Sequence, residues 1–385
     1  MSTTQLNHHV RRRTPITAAC LTAALACSAW TAPARADCIP TLLGWYDTPS
    51  SAQGVAVVES VAYVVDQYSG LQIIDVSDPA VPKLLGAYDT PDQAIGVSIV
   101  GDVAYLADYS SGLQIIDVSN PAAPLLLGAY KTPEPAWDVT VVGHVAYVPD
   151  GNSGLLIIDV SNPATPKLLG AYKTPGPAWD VTVVGQVAYV AASDTLTIID
   201  VSDPTAPKLL GSQLSGGLTI GVAVVGSVAY VADLFAGLGI IDISNPAKPK
   251  RLGTCDTPGD ASDVTVVGHL AYVADEWAGL QIIDVSDPTT PTITGSYDTM
   301  GGASSIGVIG DVAYMTEHES GLQILEVSCE PCAPDLDDSG RLDLFDFLAF
   351  VNLFNTADPK ADCTTDGAYD LFDFLCYTDA FNAGC

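Results

Sequence analysis

The stretch LQIIDVSDPAVPKLLGAYDTP, residues 71–91, decides how this chain is read. Two short apolar runs, LQIID and KLLGAY, are separated by Ser77-Asp78-Pro79 and closed by Thr90-Pro91. Runs of that length, bounded by Ser, Asp and Pro, read as strands joined by turns. The stretch recurs along the chain. Its acidic residue falls at Asp75, Asp117, Asp159, Asp200, Asp242, Asp284 and Glu326, and the Tyr of the preceding run falls at Tyr63, Tyr105, Tyr147, Tyr189, Tyr230, Tyr272 and Tyr314. Seven copies at a period near 42 imply a stacked or closed array.

Each unit divides into four strands. In the third they read DVTVVG (138–143), VAYVPD (145–150), LLIIDVS (155–161) and KLLGAY (167–172). No helical period appears in them. Four strands per roughly 40–45 residues is the pattern of a propeller blade. The expected fold is therefore all-β, a seven-bladed β-propeller over residues 37–328. Its ends indicate a closed ring. The seventh unit stops at Glu326-Val327-Ser328 without a fourth strand, whereas PTLLGWYDTP (40–49) at the front matches PKLLGAYDTP (82–91). The N-terminal strand should complete the last blade; an open solenoid needs no such split. Cys38 aligns with Ala80 and Cys329 with Asp78, so a Cys38–Cys329 disulfide is expected to lock the ring. In the chain-entropy model it contributes about 4–5 kcal/mol.

The segments on either side of this array have different compositions. Residues 1–36 combine Arg11-Arg12-Arg13, an apolar run from Ile16 to Trp30 and Ala34-Arg35-Ala36. That is the layout of a signal peptide cleaved near Ala36, with an apolar run too short for a membrane span of about 20 residues. Cys27 after Leu25-Ala26 is a poor lipidation site. The mature protein is expected to be soluble and secreted or at the cell surface. The chain has 45 acidic and 14 basic residues, and a formal charge of −31. Removing the leader leaves ten basic residues against the same 45 acids, a charge of −35. Such a polyanion repels phosphate backbones and anionic lipid, so nucleic acid is not an expected partner and divalent cations are better candidates. Cys255 is left as an odd thiol at a strand position where other units carry Tyr88 or Tyr130, which suggests a buried, inert group.

The unit LQIIDVSDPxxPxLLGxY resembles the LVIVD repeat of bacterial and archaeal exported and cell-surface proteins. The resemblance covers roughly residues 38–328 and implies a propeller fold and an exported location, but no reaction. The Asp of IIDVS and the strand Tyr, present in nearly every unit, read as structural.

Candidate binding residues lie on the face that carries the 2–3 loops and the blade-to-blade loops. Trp137, Asp138, Trp179, Asp180 and Asp263 stand at the start of inner strands, where other units carry Gly54, Gly96, Gly221 or Ser305. The 2–3 loops add Tyr68, Tyr109, Phe235, Trp277 and His318. Aromatic rings beside carboxylates suit a glycan or peptide ligand. The alternative is that the Trp pack between blades and the Asp cap turns.

The tail, residues 329–385, holds two acidic twelve-residue loops, DLDDSGRLDLFD (335–346) and DCTTDGAYDLFD (362–373). Both fit a calcium loop, with oxygen ligands at positions 1, 3, 5 and 12 and Gly at position 6. Loop 1 would use Asp335, Asp337, Ser339, the Arg341 carbonyl, Asp343 through water, and Asp346. Loop 2 would use Asp362, Thr364, Asp366, the Ala368 carbonyl, Asp370 through water, and Asp373. Two calcium ions are expected; an acidic, turn-rich tail without metal is the alternative. Each loop leads into an amphipathic helix, Phe345 to Phe354 and Phe372 to Phe381. A calcium loop followed by one helix, twice, resembles the dockerin domain, in its variant ending in Gly-Cys. The resemblance covers residues 332–385 and implies docking to a cohesin-like or other cell-envelope protein. Leu344-Phe345 and Leu371-Phe372 stand where cellulosomal dockerins carry small polar recognition residues, so ordinary cohesin specificity does not carry over. A domain of this size needs staples, and Cys332–Cys385 and Cys363–Cys376 are the expected disulfides.

Two functions follow. The first is a non-catalytic binding or scaffold propeller, displayed or assembled through the tail. The second is a polysaccharide-degrading hydrolase or lyase with its site on the same propeller face. The mature chain has only His144, His269 and His318, and no GxSxG, HExxH or phosphate loop, which favours the first.

Overall fold

The structure is a computed structural model that describes residues 38–299 and 301–328, and a helix over 344–356 whose side chains are described from 347 on. Twenty-eight strands, numbered in chain order, form seven four-stranded antiparallel sheets. Blade 1 is β2 (Ala52–Val58), β3 (Val61–Asp66), β4 (Leu71–Asp75) and β5 (Lys83–Tyr88), hydrogen-bonded in that order. Blades 2 to 6 repeat it. Blade 7 is β26 (Ala303–Ile309), β27 (Val312–Glu317), β28 (Gly321–Glu326) and, as its outer strand, β1 (Thr41–Tyr46). The register runs Thr41 to Glu326 through Tyr46 to Leu322. The expected closure by the N-terminal strand is what the structure has.

The apolar runs are continuous in the two middle strands of each blade because both of their faces are covered. Ala62 to Asp66 and Leu71 to Ile74 are buried throughout, while outer strand β5 is mostly exposed or half-buried. Each hydrophobic cluster spans two neighbouring blades. Tyr105, Leu113 and Ile115 of blade 2 meet Ala136, Val139, Val148 and Ile158 of blade 3. Blade 1 meets blade 7 in the same way, through Ala62, Val64 and Ile74 against Tyr314, Leu322 and Ile324. The repeated Tyr are 4 to 7% exposed, and burial pushes their phenols up. They belong to the blades' packing.

The Asp of IIDVS is structural too. Its Oδ1 accepts the backbone N–H two residues on, from Ser77 to Asp75 at 2.9 Å and from Ser244 to Asp242 at 2.8 Å. The Ser hydroxyl and then that N–H hold Asp75, Asp117, Asp159, Asp200 and Asp242 below the usual carboxylate range. A second acid, at the end of the VAYVAD strand, is wholly buried. Asp66 accepts the Thr48 hydroxyl at 2.8 Å and the Ser50 N–H at 2.8 Å, and Asp275 accepts Thr257 at 2.6 Å and Gly259 at 2.8 Å. It clamps the Thr-Pro connection that brings the chain in from the previous blade.

Blades also approach through glycine. A Cβ on Gly86 would overlap the Pro121 carbonyl of the next blade's turn, and Gly44, Gly128, Gly170, Gly211 and Gly253 stand in the same way against Pro79, Pro163, Pro204, Pro246 and Pro288. Gly295 meets the Cys38 carbonyl instead, so the first residue described takes that place for blade 7. Cys38 is buried and disulfide-bonded; Cys329, its expected partner, lies outside the described residues. Cys255 is a free, buried thiol raised by burial.

The chain separates into two compact units, residues 37–330 and residues 1–36 with 331–385. Of the second, the described part is helix α1 (Leu344–Thr356), close to the expected Phe345 to Phe354, with Phe350 buried and 5.8 Å from Phe354 between ring centroids. The signal peptide, the second tail helix, the Cys332–Cys385 and Cys363–Cys376 pairs and the calcium side chains of both loops lie outside the described residues. Among the described residues no helix is long and apolar enough to cross a membrane.

The glycine contacts give a stability test. Gly86→Ala should cost about 1–3 kcal/mol, through an overlap that only backbone movement relieves. Gly307→Ala, with nothing within 4 Å of the added Cβ, should stay within about 0.5 kcal/mol of the parent. Thermal or urea unfolding of the two variants checks the contrast.

Candidate functional site

The inner strands of all seven blades surround a cavity of about 600 Å³ at one end of the central channel. That volume suits a small ligand. The strands begin with a β-bulge in several blades, between Ala52 and Gly54, Ala178 and Asp180, Thr219 and Gly221, and Ala303 and Ser305. A bulge leaves one residue unpaired and re-aims its side chain. In blade 4 that residue is Trp179, and in blade 1 it is Gln53; both line the cavity.

Trp137, Asp138, Trp179, Asp180 and Asp263, expected from the sequence, all line this cavity. Trp137 and Trp179 line the cavity side by side, and Tyr109, which does not line it, packs against Trp137. Tyr109 meets Trp137 edge-on at 5.3 Å and 84°, and Trp137 meets Trp179 at 4.5 Å and 64°. Tyr109 is half-buried. Tyr68, Phe235 and Trp277 are exposed but do not line the cavity. The Nε1 of Trp179 is buried without a hydrogen-bond partner.

In blade order this position reads Gly54, Gly96, Asp138, Asp180, Gly221, Asp263 and Ser305, and geometry restricts two of the small residues. A Cβ on Gly96 would overlap Asp138, and one on Gly221 would sit 3.1 Å from the Cα of Asp263. Asp138 and Asp263 therefore each follow a blade whose residue here has no side chain to collide with them. Each Asp then joins its blade to the next. Asp180 accepts the N–H of Val181 at 2.6 Å and of Val222, one blade on, at 2.6 Å. Asp263 accepts Val264 at 2.7 Å, Ile306 at 2.9 Å and the Ser305 hydroxyl at 2.8 Å. Thr140 and Thr182 donate across the same seams, to the carbonyls of Val181 and Val222, at 2.8 and 2.7 Å.

One seam joins two acids. Asp138 is followed by Asp180, and the two carboxyls hydrogen-bond to each other. Desolvation, then the charge of Asp138, raises Asp180 well above the usual carboxylate range, and Asp180 holds the shared proton. Burial raises Asp263 as well.

Two polar lining residues outside the expected set meet at His318. Glu276, in the left-handed region at φ 41°, and Gln53 flank His318. Gln53 Nε2 is 2.8 Å from His318 Nδ1, Ser51 Oγ is 3.2 Å from the same nitrogen, and Glu276 Oε2 is 3.9 Å from His318 Nε2. His318 was in view as a loop residue; for Gln53 and Glu276 the sequence holds no mark beyond their place in the repeat. Among the described lining residues the acids are Asp138, Asp180, Asp263 and Glu276, and His318 is the one basic group. Among the described residues no three His, Cys, Asp or Glu are grouped to hold a metal ion.

These features define a closed seven-bladed propeller whose channel mouth is lined by aromatic and acidic side chains. The LVIVD repeat profile matches residues 49–90, 92–132, 135–174, 175–214, 216–257 and 258–299, and the chain belongs to the LVIVD repeat family. The sequence reading extends the repeat to seven units. The match stops at six, and the remaining blade is the one assembled from both ends of the propeller. No curated protein sequence matches the chain. Among solved structures, the WD40 β-propeller domain of Doa1 is similar at a TM-score of 0.63 and 10% identity, over 76% of this chain and 98% of that one. The computationally designed Ika8 protein gives 0.55 and 6%, over 74% and 98%. BamB from Moraxella catarrhalis gives 0.53 and 13%, over 73% and 84%. At these identities the likeness is one of fold.

The buried acids set a pH dependence. Burial raises Asp66, Asp108, Asp150, Asp233, Asp275, Asp180 and Asp263 above their unfolded value of about 3.9. Folding therefore takes up protons. The protonated forms favour the fold at low pH, and that stability is lost as pH rises through the folded-state values. The IIDVS aspartates act oppositely, but only near and below their unfolded value. Tm should therefore rise as pH falls from 8 to 5. Asp138→Asn should flatten the slope, because the amide donates to Asp180 and removes its need for a proton. Calorimetric scans across that range read both.

Proposed function

We propose that this is an exported, non-catalytic binding propeller, displayed or assembled through a calcium-dependent, dockerin-like tail. The observation that carries the binding half is the channel mouth. Trp137 and Trp179, with Tyr109 packed against Trp137, supply flat apolar area there, and four acids against one histidine favour a neutral or cationic ligand over an anionic one. Glycans and basic or neutral peptides fit that chemistry. The non-catalytic half is supported by how the carboxylates are used. Asp180 and Asp263 spend their oxygens on backbone N–H groups of two blades, whereas a glycosidase pair must be free to meet a substrate. Among the described residues of this face, Asp180 and Asp263 offer the enzyme reading, a polysaccharide hydrolase or lyase, no free pair.

The docking half rests on the donor chemistry of the two tail loops. Oxygen ligands at alternate positions around a glycine suit calcium, a hard cation. Residues 329–385 would hold two ions and present the LFDFL surfaces to a cohesin-like or other cell-envelope protein.

Two experiments test the two halves. Residues 37–385 screened against glycan and peptide arrays should bind without releasing reducing sugar, and Trp137→Ala should weaken binding at the mouth by about tenfold or more. Release of reducing sugar would make the enzyme reading the better one. Calcium titration by calorimetry should show two sites, lost in the Asp335→Ala/Asp362→Ala double variant; no heat of binding would end the docking proposal.

A further inference from the structure

Blade 7 departs from the other six at three positions that meet in one pocket. The first is on the outer strand, opposite the second residue of the LQII strand. Six blades place Ala87, Ala129, Ala171, Ser212, Thr254 and Ser296 there, paired with Gln72, Gln114, Leu156, Thr197, Gly239 and Gln281. Blade 7 alone places Trp45 there, paired with Gln323, and that indole is 60% exposed.

The second departure is Gln323 itself. In three blades the equivalent amide is spent within its own loop: Gln72 donates to the Ser69 carbonyl at 2.8 Å, Gln114 to Ser111 at 3.2 Å and Gln281 to Ala278 at 2.8 Å. Among the described residues the Gln323 amide makes no such bond, although the sidewall residue three places before it, Ser320, is present. The third is Glu317, where five blades carry Asp66, Asp108, Asp150, Asp233 and Asp275 and one carries Ala192. It is 2% exposed and is engaged by Ser320, Thr299 and the Gly301 N–H.

Leu42, Trp45, Tyr297, Asp298, Thr299, Glu317, Ser320 and Gln323 line a pocket of about 370 Å³. It lies on the closing blade, and its lining shares no residue with the channel mouth. An exposed indole costs the propeller solubility and adds nothing to its core, so the repeat does not explain it. The three departures sit together because β1 is the one outer strand that does not follow its own blade in sequence.

We propose that this pocket is a second ligand site, for one neutral hydroxylated ring such as a sugar residue of an oligosaccharide. Trp45 offers the flat apolar face on which the C–H side of a sugar ring stacks, and the Gln323 amide offers an unspent donor pair and acceptor for ring hydroxyls. The Glu317 carboxylate is closed from solvent and is a wall of the pocket, while Asp298, exposed in the lining, can accept a ring hydroxyl. The chain's charge of −31 disfavours an anionic ring. The site is independent of the channel mouth: neither Trp137 nor Trp179 lines it.

The test uses residues 37–385 and a panel of neutral oligosaccharides, with binding read by array and by Trp fluorescence. Trp45→Ala restores the residue that three sister blades carry, and Gln323→Leu installs that of blade 3, so both variants should keep the parent's Tm. At least one glycan should bind, and its Kd should rise about tenfold or more in each variant while staying unchanged in Trp137→Ala. A panel with no bound glycan, or one whose bound glycans are all retained by Trp45→Ala and Gln323→Leu, overturns the proposal. Loss of binding only in Trp137→Ala supports the channel mouth and overturns the second site.

Discussion

The pairing of residues 41–46 with residues 322–326 is the contact on which the rest of the propeller depends. Blades stack face to face, so a middle strand such as β3 is buried only if a neighbour lies on each side. An open array would leave two blades with one bare apolar face each. Closure removes both, and it does so by hydrogen bonds between the first and last strands of the ring, which makes the two ends of the domain cooperative. The Leu43 and Tyr46 side chains of β1 then join the cluster between blades 7 and 1, and Ser304 reaches across the same seam to the Gln53 carbonyl at 2.9 Å. The channel cavity is a consequence of this closure, since its lining comes from every blade.

What the sequence made legible was whatever the repeat wrote seven times. Blade count, strand order, the split blade, the Asx turn at Asp75 and the buried Tyr63 set all follow from period and turn chemistry. The acid that ends the VAYVAD strand was less legible, although it is written nearly as often. A carboxylate closing an apolar strand looks like a residue leaving the core for solvent. Asp66 instead enters it, because Thr48 and Ser50 arrive from the preceding blade to meet it. That partner lies in the connection between blades, and a strand-by-strand reading does not bring the two together. Gln53 and Glu276 were hidden for a related reason: they face His318 across the ring closure and the seam before it, and nothing local in either segment points at a histidine more than 40 residues away.

The channel-mouth aspartates show how a feature can be structural and still shape a site. Asp180 and Asp263 supply acceptors for backbone N–H groups of two adjoining blades, so each is needed by the blades. Yet this need does not fix which blades carry Asp, since Gly54, Gly96 and Gly221 stand at the same position. Placing Asp138 and Asp180 on adjacent blades forces two carboxyls to share a proton, a cost that alternating Asp with Gly would avoid. The expected alternative, in which Trp pack between blades and Asp cap turns, accounts well for the hydrogen bonds and poorly for this adjacency or for the unpartnered indole nitrogen of Trp179.

In a ring of near-identical blades, repetition and exception carry different information. A residue present in every blade answers to a contact that every blade makes, as Gly86 and its counterparts do with the following turn. A large aromatic present in one blade answers to nothing the repeat requires, and its retention on an exposed edge works against solubility. By that measure Trp137 and Trp179 on the mouth and Trp45 on the outer strand of blade 7 are exceptions, as are Phe235 and Trp277 in exposed loops. Trp179 stands at a bulge and Trp45 on the discontinuous strand, where the backbone itself differs from blade to blade. A uniform scaffold thereby leaves variation to positions where a changed side chain does not disturb the packing of its neighbours.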